Sequence, residues 1–374
     1  MSNIPKLRFP EFSGEWEEKR IDSIFDEKKE KNHPSEEVLT IIQGTGTVPR
    51  KESGRNIIFD EKSLSNYKFV QKDDFIIHLR SFEGGLEIAN SNGIVSPAYI
   101  IMHPKLSIAS KFYYSYFRSY KFINHVLPVS VEGVRDGRQI KYPILKEEKI
   151  PFTSFGEQQK IADFLSNVDS IITAETKILK TLQKKKKALM QKLFTRQLRF
   201  KSDDGKDFPA WEEKKLGECV ISISSGKNKK KNSAGNFPVY GSMGIIGYSE
   251  QYVYNKDCIL VARVGANAGT LHIAKGKYDV SDNTLIIELN ENELLSFYYF
   301  LLVNINLNKL NYGTGQPLVT SGMLKNIDIQ IPCKAEQQKI ADCLSSIDSL
   351  IQIQQKVVTT WQQRKKALLQ QMFI

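Results

Sequence analysis

The chain has 374 residues, 41% of them hydrophobic and 25% charged, which is enough for two or three globular domains that each bury a core. No secretion signal follows Met1, and the longest apolar run, Leu294–Val303, is too short to span a bilayer. The four cysteines lack metal-binding spacing. We therefore expect a cytoplasmic protein with free thiols and no membrane contact. The net charge of +11 favours a polyanionic partner such as nucleic acid.

Residues 1–152 are predicted to form a mixed α/β domain. Runs rich in β-branched and aromatic residues, bounded by Gly, Asn and Asp, predict strands at Val38–Ile42 and Phe75–Leu79. An aromatic helix is predicted to begin near Phe112, and a glycine-bearing loop at Gly133–Lys141 precedes the last strand of the domain.

Residues 153–196 are predicted to form one long helix. Its apolar residues recur at alternating spacings of four and three, the pattern of a coiled-coil seam, with interruptions at Glu175 and Lys186. The seam positions that we assign to a helix–helix interface are Ile161, Leu165, Val168, Ile172, Leu179 and Leu182. Further apolar residues beside the seam predict a contact with a globular domain or another protein, namely Phe164, Ile171 and Ile178.

The second half of the chain repeats the plan of the first. A polar connector, Thr195–Pro209, leads into a second mixed α/β domain at residues 197–333, in which strands are predicted at Ile259–Arg263 and Thr284–Glu288. Several short strings recur in matching order, namely Leu7-Arg8-Phe9 as Leu198-Arg199-Phe200, Trp16 as Trp211 and Arg80 as Arg263.

Residues 334–374 contain the second predicted long helix. Glu157–Phe194 and Glu336–Phe373 align without a gap at an offset of 179 residues, and 21 of the 38 positions are identical, including the string EQQKIAD. The second seam is interrupted at the two matching positions, Gln354 and Lys365; polar residues there either fix register and orientation or simply face solvent. Its assigned interface positions are Ile340, Leu344, Ile347, Ile351, Val358 and Trp361.

Two helices with matching seams in one chain most simply pair with each other. Antiparallel pairing would relate the halves by a pseudo-two-fold axis and carry the globular domains to opposite ends, whereas parallel pairing would place both at one end. Neither segment contains Gly or Pro, so each predicts an unbroken rod of roughly 57 Å at about 1.5 Å per residue.

The strings EQQKIADFLS and EQQKIADCLSSIDSLI resemble the conserved regions of the specificity subunit of type I restriction-modification systems, as do FPVYGSMGIIGY and ILVARVGANAGTLHIAKGKYDVSDNTLII. The resemblance covers the whole chain. It implies an α+β fold with two target recognition domains, related by the internal repeat and separated by two long helices that form an antiparallel coiled coil. The first domain departs from the family pattern, because Pro151–Gly156 replaces a paired proline and the YGxxGIIGY string is absent.

The resemblance also implies a non-catalytic reader of double-stranded DNA. Each recognition domain would read one half of a bipartite, asymmetric site, and the helices would set the spacer between the halves. Two modification subunits, which methylate adenine N6, would dock on the chain, and restriction subunits would join where the system has them. S-adenosylmethionine, ATP and Mg would be bound by these partner subunits, and this chain would bind no cofactor.

Two other classes of protein stay open from the residues alone. A self-contained DNA-modifying enzyme would need a cofactor or phosphate motif, yet the chain has no GxxxxGK[ST] or GxGxxG string, and Ser96–Tyr99 lacks the features of a methyltransferase catalytic loop. The five histidines form no metal pattern. A coiled-coil adaptor that does not bind DNA would have no need of two globular domains with basic loops.

DNA recognition requires cations near phosphates and rigid donors at base edges. Arg80 and Arg263 occupy equivalent strand ends before glycine turns, where a guanidinium could reach DNA or form a salt bridge inside its domain. The cationic loop Ser224–Lys231 suits phosphate contacts, whereas Lys184–Lys187 is predicted to be a solvated helix face, with phosphate contact as the alternative. The full set of DNA-contact candidates is Arg80, Arg135, Arg138, Lys141, Lys227, Lys229, Lys230, Lys231, Arg263, Tyr312 and Gln316.

Overall fold

The two copies of the sequence repeat fold into two units with corresponding strands. A computed structural model describes residues 3–54, 61–133, 138–228, 234–310 and 317–373. The first unit consists of Met1–Thr176 and Lys356–Ile374, and the second consists of Lys177–Gln355. Each unit therefore contains one globular domain and one segment from each of the two long helices.

The first unit contains twelve described strands and the start of the first long helix. Its strands are β1 (Glu17–Arg20), β2 (Phe25–Lys28), β3 (Leu39–Ile42), β4 (Gly46–Pro49), β5 (Lys68–Val70), β6 (Phe75–Ile77), β7 (Glu87–Ile88), β8 (Gly93–Val95), β9 (Ile100–Pro104), β10 (Val131–Glu132), β11 (Gln139–Ile140) and β12 (Lys149–Phe152). Its α-helices are α1 (Ile21–Ile24), α2 (Ser81–Gly84), α3 (Ser110–Tyr116), α4 (Tyr142–Leu145) and α5 (Phe155–Phe194), the last of which continues into the second unit.

A four-stranded antiparallel sheet of order β2-β9-β6-β7 forms the centre of the first domain. Its core is aromatic: the Phe25 ring lies edge-on to Phe75 and to Tyr113 of α3, with centroids 5.3 and 5.4 Å apart. Burial of such large apolar side chains is the main stabilising contribution. Strand β1 pairs antiparallel with β12, placing Glu17 opposite Phe152, and so brings the start of the domain beside the first turn of α5.

The second unit has ten described strands and no described counterpart of β10 and β11. Its strands are β13 (Glu212–Lys215), β14 (Val220–Ser225), β15 (Phe237–Gly241), β16 (Gly244–Ser249), β17 (Tyr254–Asn255), β18 (Cys258–Ala262), β19 (Leu271–Ala274), β20 (Lys277–Val280), β21 (Thr284–Leu289) and β22 (Asp328–Ile331). Its α-helices are α6 (Leu295–Ile305), α7 (Ser321–Lys325) and α8 (Lys334–Met372), the last of which continues into the first unit.

Two sheets of the second domain match two sheets of the first strand for strand. The order β14-β21-β18-β19 corresponds to β2-β9-β6-β7, and the pair β13–β22 corresponds to β1–β12. The remaining strands form a sheet of order β16-β15-β20-β17, in which β15 and β20 are parallel. The apolar run Leu294–Val303 forms most of α6, a helix that packs in the core as its composition predicts.

The four strands predicted from sequence are confirmed as β3, β6, β18 and β21. The largest difference is at the end of β6, which stops at Ile77 rather than at Leu79. The backbone N–H of His78 donates to the hydroxyl of buried Ser81 at 2.9 Å, and this bond turns the chain out of the sheet and into α2.

The long helices bury the seam that the sequence predicts. Every seam position in α5 and α8 is buried or half-buried, including the polar Glu175 and Gln354. In the first unit Lys365 pairs with Asp169, and in the second Lys186 pairs with Asp348, both at 2.5 Å. The two seam lysines are only 22% and 18% exposed, so they face the other helix rather than open solvent.

Candidate nucleic-acid interface

The first residue of the first EQQKIAD string is a glutamate whose hydrogen bonds connect α5 to the preceding domain. Glu157 is 1% exposed and accepts hydrogen bonds from Arg8 Nε at 2.7 Å and Arg8 Nη2 at 2.8 Å. It also accepts from Trp16 Nε1 at 3.1 Å and from the Thr153 hydroxyl at 2.5 Å. Burial alone would raise the pKa of this carboxyl, but the hydrogen bonds outweigh burial and hold its pKa below the ordinary value.

Glu336 makes the same connection at the start of α8. It accepts from Arg199 Nε at 3.0 Å, from Arg199 Nη2 at 2.6 Å and from Trp211 Nε1 at 3.1 Å. Its hydrogen bonds raise the pKa of the Arg199 guanidinium. The recurrent arginine and tryptophan of the sequence repeat are therefore the partners of the recurrent glutamate, and together they hold each domain on its helix.

In the first unit three segments meet beside Arg80. Arg80 is exposed at the start of α2, and within the described residues it makes no salt bridge. Arg138, which is also exposed, stacks its guanidinium 4.3 Å from the Phe82 ring of α2. The side-chain amide of Gln43 at the β3–β4 turn lies against Gly84 of α2, in the space that a Cβ there would occupy. Two of the predicted DNA contacts therefore lie close to one hairpin tip.

A buried carboxylate fixes the tip of that hairpin. Glu87 is fully buried and accepts hydrogen bonds from the backbone N–H of Gly44 at 2.7 Å, from that of Gly46 at 3.0 Å and from the Tyr114 hydroxyl at 2.8 Å. The hydroxyl of Tyr114 in turn accepts from Arg118 at 3.0 Å. Residues 43–45 are exposed yet anchored at both ends, which suits a loop that must present side chains rigidly.

In the second unit backbone hydrogen bonds join the segments that carry the predicted contacts. The half-buried Arg263 donates its N–H to Asn283 at 2.9 Å and accepts from Val319 N–H at 2.8 Å. Next to Asn283, Asp282 donates its N–H to Asn228, the neighbour of exposed Lys227, at 3.3 Å. Arg263, Lys227 and the segment around Val319 therefore lie near one another.

The Arg263 guanidinium is left partly without partners among the described residues of the second domain. Within the described residues it forms no salt bridge, and its Nε atom is buried without a hydrogen-bond partner. A buried guanidinium N–H without an acceptor costs free energy, so a ligand that supplied an acceptor there would remove that cost. The alternative role for Arg263 was a salt bridge inside its domain, and no such salt bridge is present among the described residues.

The remaining candidates do not all have a described environment. Lys141 is exposed at the start of α4, with its Nζ 3.8 Å from Glu132. Six predicted contacts lie outside the described residues: Arg135, Lys229, Lys230, Lys231, Tyr312 and Gln316.

Sequence reasoning missed the two hairpin tips. The β15–β16 turn in the second unit corresponds to the β3–β4 turn in the first, and it presents Met243, which is 76% exposed, and the exposed Ile245. The first tip carries the string Gly44-Thr45-Gly46, which is too short to match a GxGxxG nucleotide loop. The signal that could have revealed both is a glycine-rich turn between two short strands at equivalent places in the repeat.

The described surface around these residues offers hydrogen-bond donors and cations. Within the described part of the chain, no group of His, Cys, Asp or Glu could hold a metal ion, and no helix is long and apolar enough to cross a membrane. Cys219 and Cys258 are buried free thiols, and burial raises the pKa of both, which disfavours the thiolate that a nucleophile requires.

The family model for the type I restriction modification DNA specificity domain matches residues 13–184 and again residues 210–359. These two matches cover most of the chain and correspond to its two repeats. The chain therefore belongs to this family.

Individual relatives agree with that assignment. The chain is 27% identical over 338 residues to the type I restriction enzyme MjaVIII specificity subunit of Methanocaldococcus jannaschii, covering 80% of this chain and 78% of the relative. The crystal structure of the type I restriction-modification system S subunit from M. genitalium superposes with a TM-score of 0.64 at 20% identity, covering 99% of each chain. A chain from a structure of complex assembly in the type I R-M system superposes with a TM-score of 0.58 at 15% identity, covering 96% of this chain and 97% of that one. At these identities the two structures show a shared fold.

Proposed function

We propose that the chain reads a bipartite, asymmetric DNA site for a type I restriction-modification complex, one half-site with each unit. In this proposal residues 1–152 and 197–333 are the recognition domains, and residues 153–196 and 334–374 are the helices that separate them. The observation that carries the proposal is the duplication of one domain plan with a hairpin turn and exposed or half-buried basic residues in each copy, Arg80 and Arg138 in the first and Lys227 and Arg263 in the second. A reader of two different half-sites needs two such surfaces with different side chains.

We further propose that α5 and α8 pair as an antiparallel coiled coil that sets the spacer. Two ion pairs support this arrangement, Asp169 with Lys365 and Lys186 with Asp348. From the first pair to the second the chain advances 17 residues along α5 (186 − 169) and retreats 17 along α8 (365 − 348). At the repeat offset of 179, Asp169 is equivalent to Asp348 and Lys186 to Lys365, so the contacts are reciprocal, as around a two-fold axis.

The outer faces of the long helices are the proposed docking sites for two modification subunits. Ile171 and Ile178 lie on α5 outside the seam and are 36% and 47% exposed, and Leu350 and Ile353 on α8 are 52% and 59% exposed. Apolar residues on the open face of a long helix are typical of a protein interface. In this proposal the modification subunits supply S-adenosylmethionine and the methyl transfer, and restriction subunits supply ATP-driven steps.

Methylation mapping tests the division into two half-sites. With the modification subunit present, the wild-type chain is expected to direct adenine methylation to one two-part sequence. Arg80→Ala is expected to weaken or relax recognition of one half only, and Arg263→Ala of the other half only, each by about 5- to 150-fold, since a specific base contact contributes about 1–3 kcal/mol.

Arg20→Ala is the matched control for the first unit. Arg20 is exposed and pairs with Asp22 and Glu147, none of which is a predicted DNA contact, and its loss should leave both half-sites intact. If Arg80→Ala and Arg263→Ala altered the same half-site, the assignment of one half to each unit would be wrong.

Methyl transfer should depend on the partner subunit. The purified chain with S-adenosylmethionine and DNA is expected to give no labelled DNA, and addition of the modification subunit is expected to give it, because catalysis resides in the partner. The measurement is transfer of a labelled methyl group to a duplex that carries the mapped site. Labelling by the isolated chain would favour the self-contained enzyme over the reader.

A further inference from the structure

One face of α5 carries a row of four lysines that neither the helix seam nor the recognition surfaces use. Lys177, Lys180, Lys184 and Lys187 are all exposed and are spaced by three, four and three residues. That spacing places them in a single line along about 15 Å of helix. We call these four residues the lysine row.

The lysine row has no protein partner among the described residues. None of the four side chains forms a salt bridge there, whereas Lys186, beside them, pairs with Asp348 and lies 5.0 Å from the Phe300 ring. Like charges three and four residues apart destabilise a helix, and the helix dipole favours cations only in the last turn. An isolated helix would be more stable without such a row, so an anionic partner explains the row better than helix stability does.

The position of the lysine row separates it from the protein contacts of the helix. At 100° per residue, the centre of the row lies about 150° around α5 from the mean direction of the seam positions Leu179 and Leu182. It also lies on the far side from Ile178, which belongs to the proposed docking face. One side of α5 is thus apolar and the opposite side is a line of cations.

We infer that the lysine row binds backbone phosphates of the unread spacer DNA, next to the half-site that the second unit reads. The inference rests on the proposed function and adds a contact that carries no sequence information. A 15 Å line of cations matches the length of between four and five base pairs at about 3.4 Å each, which is sufficient for several phosphates. Because phosphates are alike in every sequence, the row would strengthen binding to DNA without changing which bases are read.

The sequence repeat supplies a conservative way to remove the row. The equivalent positions in α8 are Lys356, Thr359, Gln363 and Lys366, so the same kind of helix accepts threonine and glutamine at the two central places. Lys180→Thr with Lys184→Gln therefore removes two charges with residues that this helix repeat already uses. Adding Lys177→Gln and Lys187→Gln removes all four.

A matched control removes four other charges. Each of its lysines is exposed and paired with a nearby carboxylate, and the control substitutions are K29Q, K51Q, K201Q and K206Q. Both four-residue variants lower the net charge from +11 to +7 (11 − 4), so they differ in the location of the lost charge and not in its amount.

The experiment measures how the affinity of the full-length chain for its mapped duplex changes with salt. Loss of the lysine row is expected to make the slope of log affinity against log salt shallower by about 3.6, since each of four phosphate contacts contributes about 0.9, and the double variant is expected to show about half of that change. The control is expected to change the slope by less than 1. In the wild type, neutral methylphosphonates in the spacer should reproduce the loss, and they should have no further effect on the variant.

The ratio of affinities for the mapped and a scrambled duplex separates this inference from the proposed function. That ratio should be unchanged when the row is removed, because the row reads no bases. If the variant without the lysine row kept the wild-type salt slope, the inference would be overturned. This holds also if that variant no longer assembled with the modification subunit, because the row would then be a protein contact. A wild-type chain that did not distinguish the two duplexes would instead contradict the proposed function.

Discussion

Glu157→Gln is expected to lower the stability of the first unit by about 2–4 kcal/mol. The substitution leaves the Arg8 guanidinium and the Trp16 Nε1–H facing an amide that cannot accept a charge-assisted bidentate pair, and breaking one member of a buried ion pair typically costs several kcal/mol. Glu336→Gln is expected to cost less, about 1–3 kcal/mol, because Arg199 is 29% exposed against 12% for Arg8. The measurement is the urea midpoint of each variant.

The second glutamine of the same string provides the control. Gln159 and Gln338 are exposed and donate to Asp163 and Asp342 on their own helices at 2.8 Å, so Gln159→Ala and Gln338→Ala should each cost less than about 0.5 kcal/mol. Equal effects at the glutamate and the exposed glutamine would show that the string stabilises its helix rather than the junction.

The lowered pKa of Glu157 gives the same prediction a pH dependence. A carboxyl whose pKa is lower in the folded chain adds stability above its ordinary pKa and loses that contribution as the pH falls through the folded value. Acid unfolding of the first unit should therefore begin at a higher pH and be less steep in Glu157→Gln than in the wild type, if both are followed by tryptophan fluorescence. Coincident acid transitions would contradict the role assigned to the carboxylate.

The sequence alone predicts the elements whose signal is local. The spacing of apolar residues predicts the seams of α5 and α8. Comparison of the two copies shows that the seams are interrupted by lysine at equivalent positions, Lys186 and Lys365. Strands such as β18 follow from a short apolar run between turn residues. Each of these patterns is contained within a few turns or one strand, so no knowledge of distant contacts is needed.

The parts that could not be predicted depend on contacts between distant residues. The order β2-β9-β6-β7 joins strands from well-separated parts of the domain, and no local pattern specifies which strands become neighbours. The partnership of Glu157 with Arg8 spans 149 residues. The sequence does contain a sign of this contact, because arginine, tryptophan and glutamate recur in both copies. Only the fold shows that the three side chains are in contact.

The candidate DNA surface illustrates the same limit. Arg80 and Arg263 were found because a strand-end arginine recurs in both copies. Gln43 in the first unit was not, because the β3–β4 tip reaches α2 through a contact between segments far apart in sequence. Specificity in such a surface depends on which side chains converge, and convergence is a property of the folded domain.

Lengthening both long helices is expected to move the two half-sites apart. Four helix-forming residues inserted after Thr176 and four after Gln355, which are equivalent at the offset of 179, add about 6 Å to each helix. At about 3.4 Å per base pair that length corresponds to one or two further base pairs. Four residues also turn a helix about 40° beyond a full turn, close to the roughly 35° by which one added base pair rotates DNA, so a spacer longer by one base pair keeps each recognition surface facing its groove.

Methylation mapping measures the outcome directly, because both half-sites and the spacer appear in the same modified sequences. The two half-sites should be unchanged and the spacer longer by one or two base pairs. Insertion into α5 alone moves Lys186 relative to Asp348 and disrupts the shared seam, and it is expected to reduce site-specific methylation. Four residues inserted after Gly205, in the connector, should leave the spacer as it is. An unchanged spacer after the double insertion would mean that the domains, and not the helices, fix the distance between half-sites.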